Sequence, residues 1–235
     1  MIGSETPLEL NTVEAERLLE EVNDTSNLCE RIEFISARFL GRPYFANPLE
    51  GGPDTPEVFK ASLEGFDCVT YIETALALAR SRAIDEFIDE LREMRYGNGR
   101  IDFYHRNHYM VDWVGNNEER GVIKDITTGP KAVVKTRTLS LIEALPEKAT
   151  SFRCFPKRSL HQIQSGIETG DVMLFASTRK SLDVFHAGIL IKGEDEISLR
   201  HASRAAGQVI EQSLAGFIRA HRMSGMILLR PICIK

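Results

Sequence analysis

The sequence predicts an α+β protein built on an antiparallel sheet, and three observations carry that expectation. Apolar residues recur at three-to-four spacing through the first part of the chain, and short β-branched runs between turn residues fill the part after Gly97-Asn98-Gly99. Strands and helices do not alternate regularly, as a parallel sheet would require. From about Asn11 to Leu40, first Ala15, Leu18, Leu19 and Val22 and then Leu28, Ile32, Ile35 and Phe39 mark two helices. Asn27 with Glu30 three residues on resembles a capping box, and Gly41 stands where a residue tolerant of positive φ would end the second helix. Gly41 to Gly65 holds Pro43, Gly51, Gly52, Pro53 and Pro56 and reads as a long surface loop. A third helix is predicted from Asp67 or Cys68 to about Arg80, with Val69, Ile72, Leu76 and Ala79 on one face, and a fourth from near Ile84 to Met94. Strands are predicted at Val133-Val134, Val172 to Phe175, Val184 to Ile191, Ile197 to His201 and Met226 to Leu229. Residues 1–40 read as a helical N-terminal segment and 41–235 as the main domain, together one continuous compact unit.

The charge balance narrows the function classes. With 29 Lys plus Arg against 34 Asp plus Glu the chain is mildly acidic, which argues against nucleic acid as a partner, since neutralising phosphates takes a basic surface. The longest wholly apolar runs, such as Gly188 to Ile191, fall far short of the ~18 residues that span a bilayer. The opening Met-Ile-Gly-Ser-Glu-Thr-Pro has neither the basic nor the apolar region of a secretory leader, so an exported protein would need a leader outside this sequence. The cysteines at 29, 68, 154 and 233 show no zinc-knuckle spacing, and if one is a working thiol at most one bridge can form among the others.

Cys68 is the first candidate for chemistry. It stands at the start of the third helix, where the helix dipole and unpaired backbone N–H groups favour thiolate over thiol. A lone cysteine is more often a small buried hydrophobe, so partners decide its role. His186 and His201 lie on two predicted strands separated by Lys192-Gly193-Glu194-Asp195, which has turn composition. A four-residue hairpin loop there pairs Ile191 with Glu196 and brings His186 opposite His201, with the Cβ atoms of such a pair roughly 4.5–5.5 Å apart. A slip of one residue would place the two imidazoles on opposite faces. Together Cys68, His186 and His201 supply a nucleophile, a base and a group that orients the base, the set that acyl transfer needs.

Several motifs in order extend the pattern. Gly41-Arg42-Pro43-Tyr44, Phe66-Asp67-Cys68-Val69-Thr70-Tyr71-Ile72-Glu73, Arg106-Asn107-His108-Tyr109 with Asp112-Trp113, His186-Ala187-Gly188-Ile189 and His201-Ala202-Ser203 run from about Arg38 to Arg230. In these residues the chain resembles the bacterial N-acetylmuramoyl-L-alanine amidase-like family, in the NlpC-type branch of papain-like cell-wall hydrolases. The resemblance implies a papain-like core with an antiparallel sheet packed on the nucleophile helix, and an exported, periplasmic or secreted enzyme acting on peptidoglycan or muropeptide fragments. It implies Cys68 as nucleophile, His186 as general base and then acid, His201 as the orienting residue, an oxyanion hole that includes the Cys68 N–H, and no metal or other cofactor. The favoured bond joins the muramic acid lactyl group to L-Ala; cleavage within the stem peptide, transfer to an acceptor other than water, and a catalytically silent module that holds cell-wall fragments are the alternatives.

Further residues carry secondary expectations. Asp67 can recognise an ammonium group or cap its helix; Tyr109, Asp112 and Trp113 can line the cleft, the indole offering a flat face to a sugar; Ser203 follows His201 on the same strand face. A zinc reading through His105, His108, His186, His201 and Asp112 suffers from the i, i+3 spacing of the first pair, which is not the helical His-x-x-x-His of common zinc hydrolases.

Overall fold

The computed structural model describes residues 9–233, so the opening stretch read above for a leader lies outside the described residues. Helices α1 (Thr12–Glu21), α2 (Leu28–Arg38), α3 (Cys68–Arg80) and α4 (Ile84–Arg95) form where the periodicity places them. Asn11 and Asn27 cap α1 and α2 by accepting backbone N–H groups, and Gly41 takes φ +84° as the chain turns away from α2. The Asn27 contact differs from a capping box, because Glu30 reaches the Asn27 side chain at 3.3 Å rather than its backbone. Between α2 and α3 the irregular segment folds a small hairpin, β1 (Glu50–Gly52) with β2 (Thr55–Val58).

The main sheet has six antiparallel strands: β3 (Ile123–Asp125), β6 (Val172–Ala176), β7 (Val184–Lys192), β8 (Ile197–Ser203), β9 (Gln208–Ser213) and β10 (Gly225–Pro231), in the order β3-β10-β6-β7-β8-β9. A separate ribbon pairs β4 (Val133–Leu139) with β5 (Lys148–Cys154). The α+β class with antiparallel sheets is as predicted. Helices α5 (Met110–Glu119), α6 (Leu160–Ile163) and α7 (Leu214–Ala220), with strands β3, β5 and β9, are not marked by the sequence pattern.

Alternation along the strands sends one set of side chains to each face. Val172, Leu174, Ala187, Ile189, Ile191, Ala202, Ile227 and Leu229 join the core formed with α1 to α4. Met173, Phe175, Leu190, Leu199, Met226 and Leu228 pack on the other face against Leu214, Phe217 and Ile218 of α7. Residues 70–79 of α3 are all buried, so this helix is enclosed by its neighbours and the sheet. Because α1 and α2 share that enclosure, the N-terminal helices belong to the same hydrophobic core as α3. Arg31 of α2 fastens the bundle: Nε donates to Ala79 O at 2.6 Å and Nη1 to Val22 O at 2.6 Å, placing a cation against the carbonyl ends of α3 and α1.

Candidate active site

Two structural devices position Cys68. Asp67 is the N-cap of α3, its Oδ1 accepting from Val69 N at 3.0 Å, from Thr70 N at 2.8 Å and from Thr70 Oγ1 at 2.9 Å, while Thr70 Oγ1 accepts from Asp67 N at 3.0 Å. This reciprocal box fixes the first turn of the helix. The Gly41-Arg42-Pro43-Tyr44 motif is a strap between the sheet edge and that turn. Gly41 N donates to Val209 O at 2.9 Å and Tyr44 N to Gly207 O at 2.8 Å, while Phe66 N donates to Pro43 O at 3.0 Å and Phe45 N to Phe66 O at 2.9 Å. The N-terminal flank of Cys68 is therefore tied through the strap to β9.

The sulfur lies against β7, with the N–H groups of Ala187, Cys68 and Val69 directed at it. Ala187 immediately follows His186, and His186 Nε2 meets His201 Nδ1 at 2.7 Å, the rings 4.7 Å apart and perpendicular. The thiol itself has no side-chain hydrogen bond among the described residues; apo geometries of this kind commonly tighten only when substrate is bound.

The hairpin register corrects the sequence reading. Lys192 pairs with Ile197 and Ile189 with Arg200, so the four-residue loop is Gly193 to Glu196, closed by Gly193 N donating to Glu196 O at 2.9 Å. The predicted pairing of Ile191 with Glu196 and His186 with His201 is displaced by two residues. An even displacement keeps both imidazoles on one face, now as diagonal neighbours within reach of each other. Continuing the register sets Gly188 across from His201, where a Cβ would stand 3.0 Å from His201 Cβ and 2.8 Å from Arg200 O. The missing side chain at Gly188 leaves His201 room to lean toward His186.

Burial governs the electrostatics. Phe217 of α7 stacks on His186 at 5.3 Å and presents its ring to His201 at 5.4 Å, and Phe175, 4.5 Å from Phe217, lies 6.1 Å from His186. Desolvation, with neighbouring His201 and His221 adding, pushes His186 down to about 3. Desolvation and then His221 push His201 down to about 4. Burial and then the Asp67 charge push the Cys68 thiol up to about 12, against the three N–H groups that favour its anion. The expectation that the helix terminus lowers this pKa is thereby reversed, because loss of water outweighs the amides. In all three groups the shift favours the uncharged form.

The remaining sequence candidates part company. Trp113 is fully buried and donates Nε1–H to Glu73 Oε1 at 3.2 Å, so its ring is core and offers no face to a sugar. Tyr109 is buried at the start of α5, its hydroxyl accepting from Ile142 N at 3.2 Å, and Asp112 is ion-paired with Lys148. Ser203 Oγ accepts from Ala206 N at 3.2 Å in the turn after β8. Of the zinc set, His105 pairs with Asp102 at 2.8 Å and His108 with Phe103 O at 2.7 Å, and among the described residues no three metal-ligating side chains gather. Three residues escaped the sequence reading. Gln212 on β9 places Nε2 at 2.7 Å from His201 Nε2, Phe217 walls the imidazoles, and His221 stacks on Phe217 at 4.1 Å. Only Gly207, with φ +71°, signalled the β8–β9 turn that brings Gln212 in.

The site is a helix-borne thiol set against a strand that carries one of two bonded imidazoles, within a mixed α+β fold. Residues 34–226 match the family described as AmiA-like, N-acetylmuramoyl-L-alanine amidase-like, and the chain belongs to that amidase-like family of cell-wall hydrolases. Protein LPG0564 from Legionella pneumophila, of family DUF1460, is similar over 94% of both chains, with 25% identity and a TM-score of 0.83. An N-acetylmuramoyl-L-alanine amidase from Bacteroides uniformis has the same fold, with a TM-score of 0.78 and 24% identity over 87% of this chain and 99% of its own. A Bacteroides fragilis chain provisionally described as a xylanase matches with a TM-score of 0.72 and 26% identity over 83% of this chain and 99% of its own. No curated protein matches. Glycoside hydrolysis calls for two carboxyl groups facing across the bond, whereas the bonded centre here is made of imidazoles beside a thiol.

Proposed function

We propose that the protein is a cysteine-dependent amidase with a papain-like, NlpC-type core that hydrolyses the bond between N-acetylmuramic acid and L-Ala in peptidoglycan or its fragments, in the periplasm or outside the cell. The observation that carries this reading is the 2.7 Å His186–His201 contact on the strand whose next residue, Ala187, directs its N–H at the Cys68 sulfur. Family membership supports the substrate class.

In the reaction Cys68 Sγ attacks the amide carbonyl while its proton passes to His186 Nδ1. His201 Nδ1 holds the other nitrogen of that ring through its hydrogen bond. The tetrahedral oxyanion draws on the Cys68 N–H at the helix terminus. Collapse breaks the C–N bond, and His186 returns the proton to the departing amine of L-Ala. Water, deprotonated by His186, then attacks the thioester, releasing the muramic carboxylate and restoring the thiol. Asp67, beside the sulfur, and Ser203, on the His201 strand, flank the path of the substrate.

The test is mass spectrometry of a defined muropeptide, in reducing and anhydro-sugar forms, after incubation with the protein and with Cys68→Ala. Free stem peptide and free amino sugar from the parent alone is the expected result. Cleavage inside the stem would convert the reading to an endopeptidase on the same scaffold, and an active Cys68→Ala protein would refute the thiol mechanism.

A further inference from the structure

Gln212 ends the chain of contacts that begins at His186. Its side chain, on β9, reaches diagonally across to His201 on β8, and with His201 Nδ1 already on His186, the amide engages the one remaining ring nitrogen at 2.7 Å. His201 is 2% exposed, so no bulk water competes for that nitrogen.

Hydrogen-bond arithmetic along this chain leaves two arrangements. A neutral imidazole carries one proton, so whichever nitrogen of His201 faces Gln212 as donor makes the other an acceptor. With the amide nitrogen turned to His201, as the structure has it, His201 Nε2 accepts, Nδ1–H donates to His186 Nε2, and the proton of His186 sits on Nδ1. With Nε2 engaged by His201, Nδ1 is the nitrogen left for the thiol proton, and in this arrangement it cannot take one. A half-turn of the amide puts Oε1 in the same place. His201 Nε2–H then donates to Gln212, His186 Nε2–H donates to His201 Nδ1, and His186 Nδ1 is vacant to receive the thiol proton.

We propose that Gln212 is a positioning residue whose amide orientation selects the tautomers of His201 and His186, the oxygen-inward orientation being the reactive one. This rests on the cysteine-amidase reading above. The titratable group facing the two rings from a neighbouring element is His221 after α7, and the nitrogen that Gln212 occupies is engaged by Gln212.

The test labels the histidines of the full chain with nitrogen-15 and reads their tautomers by long-range nitrogen–proton correlation in the parent, Gln212→Glu and Gln212→Met, alongside kcat and KM on the muropeptide. Gln212→Glu offers only acceptor oxygens and is expected to fix both His201 and His186 as Nε2–H tautomers, with kcat higher than in Gln212→Met. Gln212→Met removes the partner and is expected to lower kcat by about 10- to 100-fold, the worth of one hydrogen bond to a group that becomes charged, with KM little changed. Unchanged tautomers in both variants, or equal losses of kcat in folded Gln212→Glu and Gln212→Met, would overturn the proposal. Should Gln212→Met fail to fold, Gln212→Glu decides alone, since an Nδ1–H tautomer of His201 there refutes the oxygen-inward assignment. The tautomer measurement needs no turnover, so it separates failure of this inference from failure of the amidase reading.

Discussion

Alkylation of Cys68 as a function of pH tests the electrostatics of the site most directly. Iodoacetamide reacts with thiolate, and a thiol pushed up to about 12 is ionised to about one part in 10⁵ at pH 7. A free cysteine near 8.5 is about 3% ionised there, so Cys68 should react about 3,000-fold more slowly than a cysteine peptide. Its rate should climb about tenfold per pH unit past pH 10 without levelling. Peptide-resolved mass spectrometry follows Cys68 separately from the thiols at Cys29, Cys154 and Cys233. A second arm uses Asp67→Asn. The Asp67 charge is the next cause after burial, and Asn retains an acceptor for Val69 N and Thr70 N, so the helix cap persists while the charge goes. The rate at pH 8 should rise by about three- to tenfold, the effect of half to one pKa unit from one nearby charge. A flat, fast rate from pH 5 to 8 would mean a resting thiolate–imidazolium pair and would refute the reasoning, as would slower alkylation in Asp67→Asn.

Two further outcomes follow from buried charge. Arg95 and Glu73 pair at 2.8 Å with both side chains almost wholly buried, and Trp113 holds the second Glu73 oxygen. Arg95→Met should cost about 3–5 kcal/mol in urea unfolding by stranding Glu73, and adding Glu73→Leu should restore most of it; a loss below about 1 kcal/mol in the single variant would contradict this. The histidine pair makes the protein acid-labile: with folded values of about 3 for His186 and about 4 for His201, below the unfolded ~6.5, their stability is present above pH 6.5 and drains as pH falls toward those values. At pH 5 each should cost about 2 kcal/mol, read as a lower urea midpoint in the parent than at pH 7 and a smaller pH effect in His186→Phe.

The parts of the fold legible in the sequence are those whose burial is one-sided or complete. The apolar stripes of α1, α2 and α4 and the enclosed run of α3 state their own secondary structure, as do β6, β7 and β10 at the sheet centre. β9 lies at the sheet edge with a mostly exposed or half-exposed run, and the half-buried positions of the β4–β5 ribbon include Lys135, Arg137 and Thr150, so its alternation in burial is not an alternation in hydropathy. α7 is seven residues with Gly216 inside it, too short to show a stripe. The histidine pair survived a wrong register because the error was even. Gln212 could not be found the same way, since it reaches His201 only through a strand that the pattern did not mark.

The thiol shows where position in sequence misleads. A cysteine in the first turn of a helix invites the inference of a lowered pKa, and the amides of Cys68, Val69 and Ala187 do favour the anion. The same fold that aims those amides also packs α3 against the sheet and places a carboxylate next door, and each of these disfavours charge. Helix dipoles contribute typically 0.3–1 kcal/mol, whereas burial of an ionisable group shifts its pKa by up to 3–5 units, about 4–7 kcal/mol, so desolvation wins by magnitude alone. On the proposed mechanism both reactants stay neutral until a carbonyl arrives, and the proton moves to His186 as the carbon–sulfur bond forms. A site organised in this way depends on the correct tautomer of a neutral base, which makes the order His186, His201, Gln212 as important to it as the identity of the nucleophile.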